Sequence, residues 1–209
     1  MAAVTNTAEQ KVILDGVSWE TYKRLLSENL EKTGTRFTYD QGALEIMVVS
    51  FRHEDLSRTI AMLVELIAAE MEIDCVAAGS TTFQRKDLAK GFEPDECFYI
   101  REPEMVRGKK ELDLSIDPPP DLVIEVDITS PSLNKLRIYS AVGVAEVWRY
   151  NNDALSILKL RIGRYIEASV SSLLPGVTSS VLNQFVERSR SLKRNLWMRE
   201  VREWARGRL

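Results

Sequence analysis

Several acidic residues stand where carboxylates are costly unless something offsets them. Asp121, Glu125 and Asp127 fall within Asp121-Leu-Val-Ile-Glu-Val-Asp-Ile128, a run apolar and β-branched enough to predict a strand. Side chains alternate along a strand, so Leu122, Ile124, Val126 and Ile128 share one face while Asp121, Val123, Glu125 and Asp127 share the other. Carboxylates gathered on one face repel one another and resist desolvation, and a divalent cation with oxygen ligands relieves both costs. Asp95 follows Pro94 at the head of a shorter predicted strand, Asp95 to Ile100. With Glu125 it makes a carboxylate pair on two strands, an arrangement suited to metal-assisted phosphodiester hydrolysis. The same residues also suit a solvated outer face, an edge strand with gatekeeping charges, or, for Asp95, a turn.

The rest of the chain must supply the elements that hold these residues. Trp19 to Leu30 predicts a helix capped by Ser18, and Arg36 to Val49 a hairpin around Asp40-Gln41-Gly42. A second helix is expected from Glu54 to Met71, where Leu56, Ile60, Leu63, Ile67 and Met71 form one apolar stripe. Ile73 to Gln84 has strand character. Pro118-Pro119-Pro120 stiffens the entry to the acidic strand, and Ser130-Pro131 signals a following helix that turns Leu133, Leu136, Tyr139 and Val142 inward and stops at Gly143. Glu146 to Tyr150, Ala154 to Leu160 and Arg164 to Ala168 predict a β-meander, and a terminal amphipathic helix follows Pro175-Gly176. The expected division is a flexible segment at 1–14, one α/β domain at 15–180, and a basic C-terminal helix at 181–209.

Composition narrows the function. The 209 residues are 44% hydrophobic and 28% charged, with a formal charge of −3, which argues against a protein that coats nucleic acid through a large basic excess. Cys75 and Cys97 are too few for a disulfide framework, and no signal-peptide core or membrane-length apolar run is present, so a cytoplasmic location is expected. Between Val181 and Leu209 there are eight Lys/Arg against three Glu. Arg194, Arg199 and Arg202 are therefore candidates for contact with a phosphate backbone; a docked helix with a solvated basic face, or a dimer contact, is the other reading.

These motifs resemble the PD-(D/E)xK nuclease superfamily and, more closely, the Uma-type restriction-endonuclease family, domain of unknown function 820. The residues that carry the likeness are Arg36 to Met47, His53-Glu54, Gly79 to Phe83, Gly91 to Glu96, Pro120 to Ser130 and Gly143 to Trp148, in family order across roughly residues 15 to 190. The resemblance implies a restriction-endonuclease-like mixed β-sheet flanked by helices, a Mg²⁺-dependent hydrolytic site (Mn²⁺ as a substitute), DNA, double-stranded, as substrate, and a homodimer.

Carried over position by position, Asp95 matches the aspartate of the PD motif and Glu125 the acidic residue of (D/E)xK. Both would act as catalytic metal ligands, joined by Glu45 and the Val126 carbonyl. The superfamily lysine is missing, because the residue two after Glu125 is Asp127, which neither holds a water nor stabilises a phosphate as an ammonium does. Lys135, on the predicted following helix, stands where a migrated catalytic lysine would fall; a solvated helix lysine is the alternative. His53, the one histidine in the chain, is an accessory candidate or a structural residue. Cys97 shares the Asp95 face and reads more readily as a small buried hydrophobe. The implied function is a metal-dependent endonuclease, or else a nuclease-fold binding module without turnover.

Overall fold

The computed structural model describes residues 10–29, 34–128 and 133–208. The Ser130-Pro131 helix start and positions 1–9 of the expected flexible segment lie outside the described residues.

Two sheets and five helices make up the fold. In chain order the elements are β1 (Gln10–Leu14), α1 (Trp19–Asn29), β2 (Thr35–Asp40), β3 (Ala43–Val48), α2 (Phe51–Glu70), β4 (Val76–Ala77), β5 (Phe83–Arg85), β6 (Lys90–Phe92), β7 (Glu96–Tyr99) and β8 (Leu122–Asp127). They continue as α3 (Lys135–Val142), β9 (Glu146–Asn151), β10 (Ala154–Arg161), β11 (Arg164–Ala168), α4 (Ser179–Ser189) and α5 (Arg194–Arg206). The smaller sheet is antiparallel, in the order β1-β3-β2-β6-β5. The larger runs β11-β10-β9-β8-β7-β4 and is mixed, because β8 and β9 are parallel. Parallel neighbours require a crossover, and α3 lies in it.

β8 is an interior strand, buried along both faces except at Asp127, so the solvated-face and edge-strand readings fail. Its Leu122, Ile124 and Val126 pack with Trp148 and Tyr150 against α2, α4 and α5. The opposite face, with Val123, Val147 and Cys97, packs against Ile138, Tyr139 and Val142 of α3 and against Phe83 and Phe92 of the small sheet. That second layer covers the acidic face of β8.

Local chemistry explains the well-placed elements. Gln41 and Gly42 both have positive φ, 50° and 99°, as the tight β2–β3 turn demands. Ser50 caps α2 by accepting from the His53 main-chain N–H at 3.2 Å.

Other expectations need correction. Residues 10–14, assigned to the flexible segment, form β1, paired along its length with β3. The expected strand at Ile73 to Gln84 splits into β4 and β5, one in each sheet. α3 begins at Lys135. The single C-terminal helix is two: α4 and α5 fold against each other, with Trp197 fully buried and its Nε1 donating to the Phe185 carbonyl at 2.8 Å. Cys97 is fully buried with its Sγ 3.3 Å from the Gly79 carbonyl, the small-hydrophobe role.

α1 is tied to the small sheet by an aromatic stack in which the Tyr22 and Tyr39 rings lie 4.8 Å apart. Tyr22 is fully buried, and its hydroxyl finds no hydrogen-bond partner. Any Cβ added at Gly91 would be driven into the Tyr22 ring and hydroxyl. Gly91→Ala is therefore expected to cost about 1–3 kcal/mol of unfolding free energy, whereas Tyr22→Phe removes only an unpaired hydroxyl and should cost nothing. Denaturant unfolding of the two variants checks both; a neutral Gly91→Ala contradicts the close approach.

Candidate active site

The antiparallel ladder between β7 and β8 pairs Cys97 with Val123 and Glu96 with Ile124. Continued by one step, that register sets Asp95 opposite Glu125 on the same face, where directly opposed Cβ atoms stand about 4.5–5.5 Å apart. Asp95 and Glu125 are 4% and 3% exposed. Asp95 Oδ2 accepts from the Val126 main-chain N–H at 2.8 Å, and Oδ1 faces His53 Nε2 at 2.8 Å.

α3 supplies the groups above Glu125. Lys135 and Tyr139 are four residues apart and so share one helix face. Lys135 Nζ lies 2.7 Å from Glu125 Oε2, and the Tyr139 hydroxyl donates to Oε1. Lys135 is 8% exposed, so it is not a solvated surface lysine. Its ammonium stands at the position that Asp127 leaves unfilled.

The small sheet closes the site from the other side. Glu45 of β3 is 1% exposed, and its Oε2 accepts from the Leu133 main-chain N–H at 2.8 Å. Glu93, just before β7, accepts from the Phe37 N–H at 2.9 Å and from the Thr82 hydroxyl at 2.5 Å. A cavity of about 340 Å³ gives access; Glu125, Asp127, Lys135, Tyr139 and Arg149 line it.

The electrostatics follow from burial and from an excess of carboxylates around one ammonium. Burial pushes Glu125 up to about 7, helped by the charges of Asp95 and Asp127 and opposed by Lys135. Burial also pushes Asp95 upward, but the His53 hydrogen bond and charge, Lys135 and the Val126 N–H outweigh it and hold the carboxyl below the ordinary range. Burial alone would lower Lys135; Glu125, Asp95 and Glu45 together raise it well above the usual lysine value. Lys135 therefore remains a cation at neutral pH.

Hard oxygen donors and surplus negative charge fit a divalent ion. Among the described residues no three His, Cys, Asp or Glu side chains converge closely enough to hold one. The donor set is thus a carboxylate pair completed by main-chain carbonyl, water or phosphate oxygen, the mode Mg²⁺ favours. The structure does not assemble Glu45 with Asp95 and Glu125 into a three-carboxylate cage; Glu45 contributes charge and holds the start of α3.

Asp127 turns to Arg149, Oδ2 to Nε 2.6 Å, at the mouth of the cavity. The C-terminal arginines are engaged elsewhere. Arg194 donates to Thr59 at 3.0 Å and stacks over Trp197, Arg199 approaches Glu203 at 3.8 Å, and Arg202 approaches Glu70 at 3.6 Å. Glu70 is 17 residues beyond His53 on α2, about 25 Å along the axis at 1.5 Å per residue. Arg202 thus pairs at the end of α2 remote from the carboxylates.

Tyr139 and Arg149 escaped the sequence reading. The spacing of Tyr139 four residues after Lys135 is a signal that could have found it; Arg149 reaches the site only because β8 and β9 are parallel neighbours that pair it with Glu125.

Residues 19–193 match the profile of a family described as "Uma2: Putative restriction endonuclease". Among solved structures, the chain is similar to the crystal structure of a putative nuclease belonging to DUF820 from Anabaena variabilis ATCC 29413. The TM-score is 0.54 at 13% identity, over 77% of this chain and 98% of that one. No curated protein matches.

Removing one member of a buried ion pair leaves the other desolvated and unpaired, at about 3–5 kcal/mol. Lys135→Met in metal-free protein should lose stability on that scale, and Glu125→Gln combined with Lys135→Met should recover most of it. A double-mutant cycle by denaturant unfolding measures the coupling; additive effects would refute the pairing.

Proposed function

The chain belongs to the Uma2 family, and on that premise we propose that it is a metal-dependent nuclease that hydrolyses phosphodiester bonds in DNA. One observation carries this reading. Asp95 and Glu125 face each other across β7 and β8, and Lys135 places an ammonium 2.7 Å from Glu125 in place of the lysine missing at Asp127.

In this reading Asp95 and Glu125, with the Val126 carbonyl, hold Mg²⁺ or Mn²⁺. When bound, the ion supplies Lewis acidity to the phosphate and lowers the pKa of an attacking water. His53 orients Asp95 through Nε2, and Ser50 fixes His53 by capping its helix. The Tyr139 hydroxyl holds Glu125 Oε1. Lys135, charged throughout the neutral range, stabilises negative charge on the phosphate oxygens and does not serve as a base. A duplex substrate calls for one such site per strand, which a homodimer would provide.

A second reading, a binding module without turnover, is favoured by one feature: both oxygens of Glu125 already have partners in Lys135 and Tyr139, with which an ion must compete.

Plasmid nicking in Mg²⁺ or Mn²⁺ separates the two. Asp95→Asn and Glu125→Gln should abolish it in folded protein, and Lys135→Met should slow it by on the order of 10²–10³. Activity retained in either carboxylate variant refutes the assignment, and calorimetric metal binding without nicking by the unaltered chain selects the second reading.

A further inference from the structure

A second cavity, of about 600 Å³, adjoins the carboxylates, and its walls include Arg36, Ser50, Phe51, Glu54 and Glu93. Ser50 accepts from the main chain of His53. Arg36 projects from the same face of the small sheet as Glu45, on the diagonal of the β2–β3 ladder, a separation of about 7–8 Å. The cavity is therefore a neighbour of the site and shares residues with its supports.

Two features here have no structural use. The Nε of Arg36 is buried without a hydrogen-bond partner, while its terminal nitrogen reaches Glu54 at 3.3 Å. Buried donors are ordinarily satisfied, so this one is aimed at an acceptor the chain does not provide. Phe51, at the first position of α2, is 88% exposed. Large aromatic residues are ordinarily buried, and this one stands at a cavity with a planar face to offer.

The chemistry of the walls selects the occupant. A bare phosphate fits poorly, because Glu54 and Glu93 line the same space. A planar heterocycle with ring acceptors and amino donors fits well: its face stacks on an aromatic ring, an acceptor takes the arginine N–H, and a donor meets a carboxylate. We propose that this cavity binds a single unpaired nucleobase of the strand being processed, stacked on Phe51 with its hydrogen-bonding edge turned to Arg36 Nε. The proposal rests on the nucleic-acid reading of the neighbouring site and adds to it a base-reading pocket.

Fluorescence anisotropy in Ca²⁺ tests it, with a short single-stranded DNA and a strand of the same length and charge built from abasic nucleotides. Phe51→Ala should weaken binding of the base-bearing strand on the order of tenfold and leave the abasic strand unaffected. Arg36→Lys, which keeps the charge but loses the Nε geometry, should show the same pattern. Because Phe51 is exposed, its variant should unfold at the unaltered midpoint. Equal losses on both strands, or unchanged binding in Phe51→Ala, would overturn the pocket and leave the nuclease reading standing. If the unaltered chain binds neither strand, both readings fall together.

Discussion

Burying two carboxylates face to face across an antiparallel ladder sets a problem that the surrounding elements answer. The β7–β8 register offers no freedom: a shift of one residue would turn Glu125 toward the apolar α2 layer and Val126 toward α3. With the register fixed, like charges meet in a space nearly closed to water, and the field that pushes Glu125 to about 7 results. Each neighbouring element supplies part of the remedy. α2 brings His53 to Asp95, α3 brings Lys135 and Tyr139 to Glu125, and the main chain of β8 itself donates to Asp95.

This arrangement explains why the lysine can leave its strand. On β8 the position two after Glu125 lies at the strand end, where Asp127 pairs with Arg149 at the cavity mouth. An ammonium from α3 instead approaches Glu125 from above the sheet, and Tyr139 one turn later takes the second oxygen. The requirement that the chemistry imposes is a cation at Glu125, not a lysine at a given place in the chain. A helix packed on the acidic face meets that requirement as well as the strand would.

Much of this was legible in the sequence, and the limits are physical. The two-residue alternation in Asp121 to Ile128 identified which β8 side chains share a face, because period alone decides it. The tight turn at Gln41-Gly42 and the capped long helix were equally readable, since both depend on neighbours in sequence. Partnership between distant segments was not. Nothing local says that β8 lies inside the sheet, that β9 runs parallel beside it with Arg149, or that β4 and β5 belong to different sheets. The C-terminal break between α4 and α5 was hidden for a related reason: the apolar spacing continues through it, and only the buried Trp197 shows the helices folded back.

The basic tail shows how composition misleads where pairing decides. Eight Lys/Arg between Val181 and Leu209 suggested a surface for phosphate. In the fold Arg188 forms a two-pronged pair with Glu200, and Arg206 another with Glu70. Exposed pairs of this kind contribute little to stability, on the order of 0–1 kcal/mol each. They do consume the charge that would otherwise draw a polyanion, and they fix α5 along α2. The helix that carries the positive excess thus serves to pack the face of the sheet turned away from the carboxylates. Attraction for a substrate must come instead from groups at the site, where a bound ion would reverse the sign of the local field.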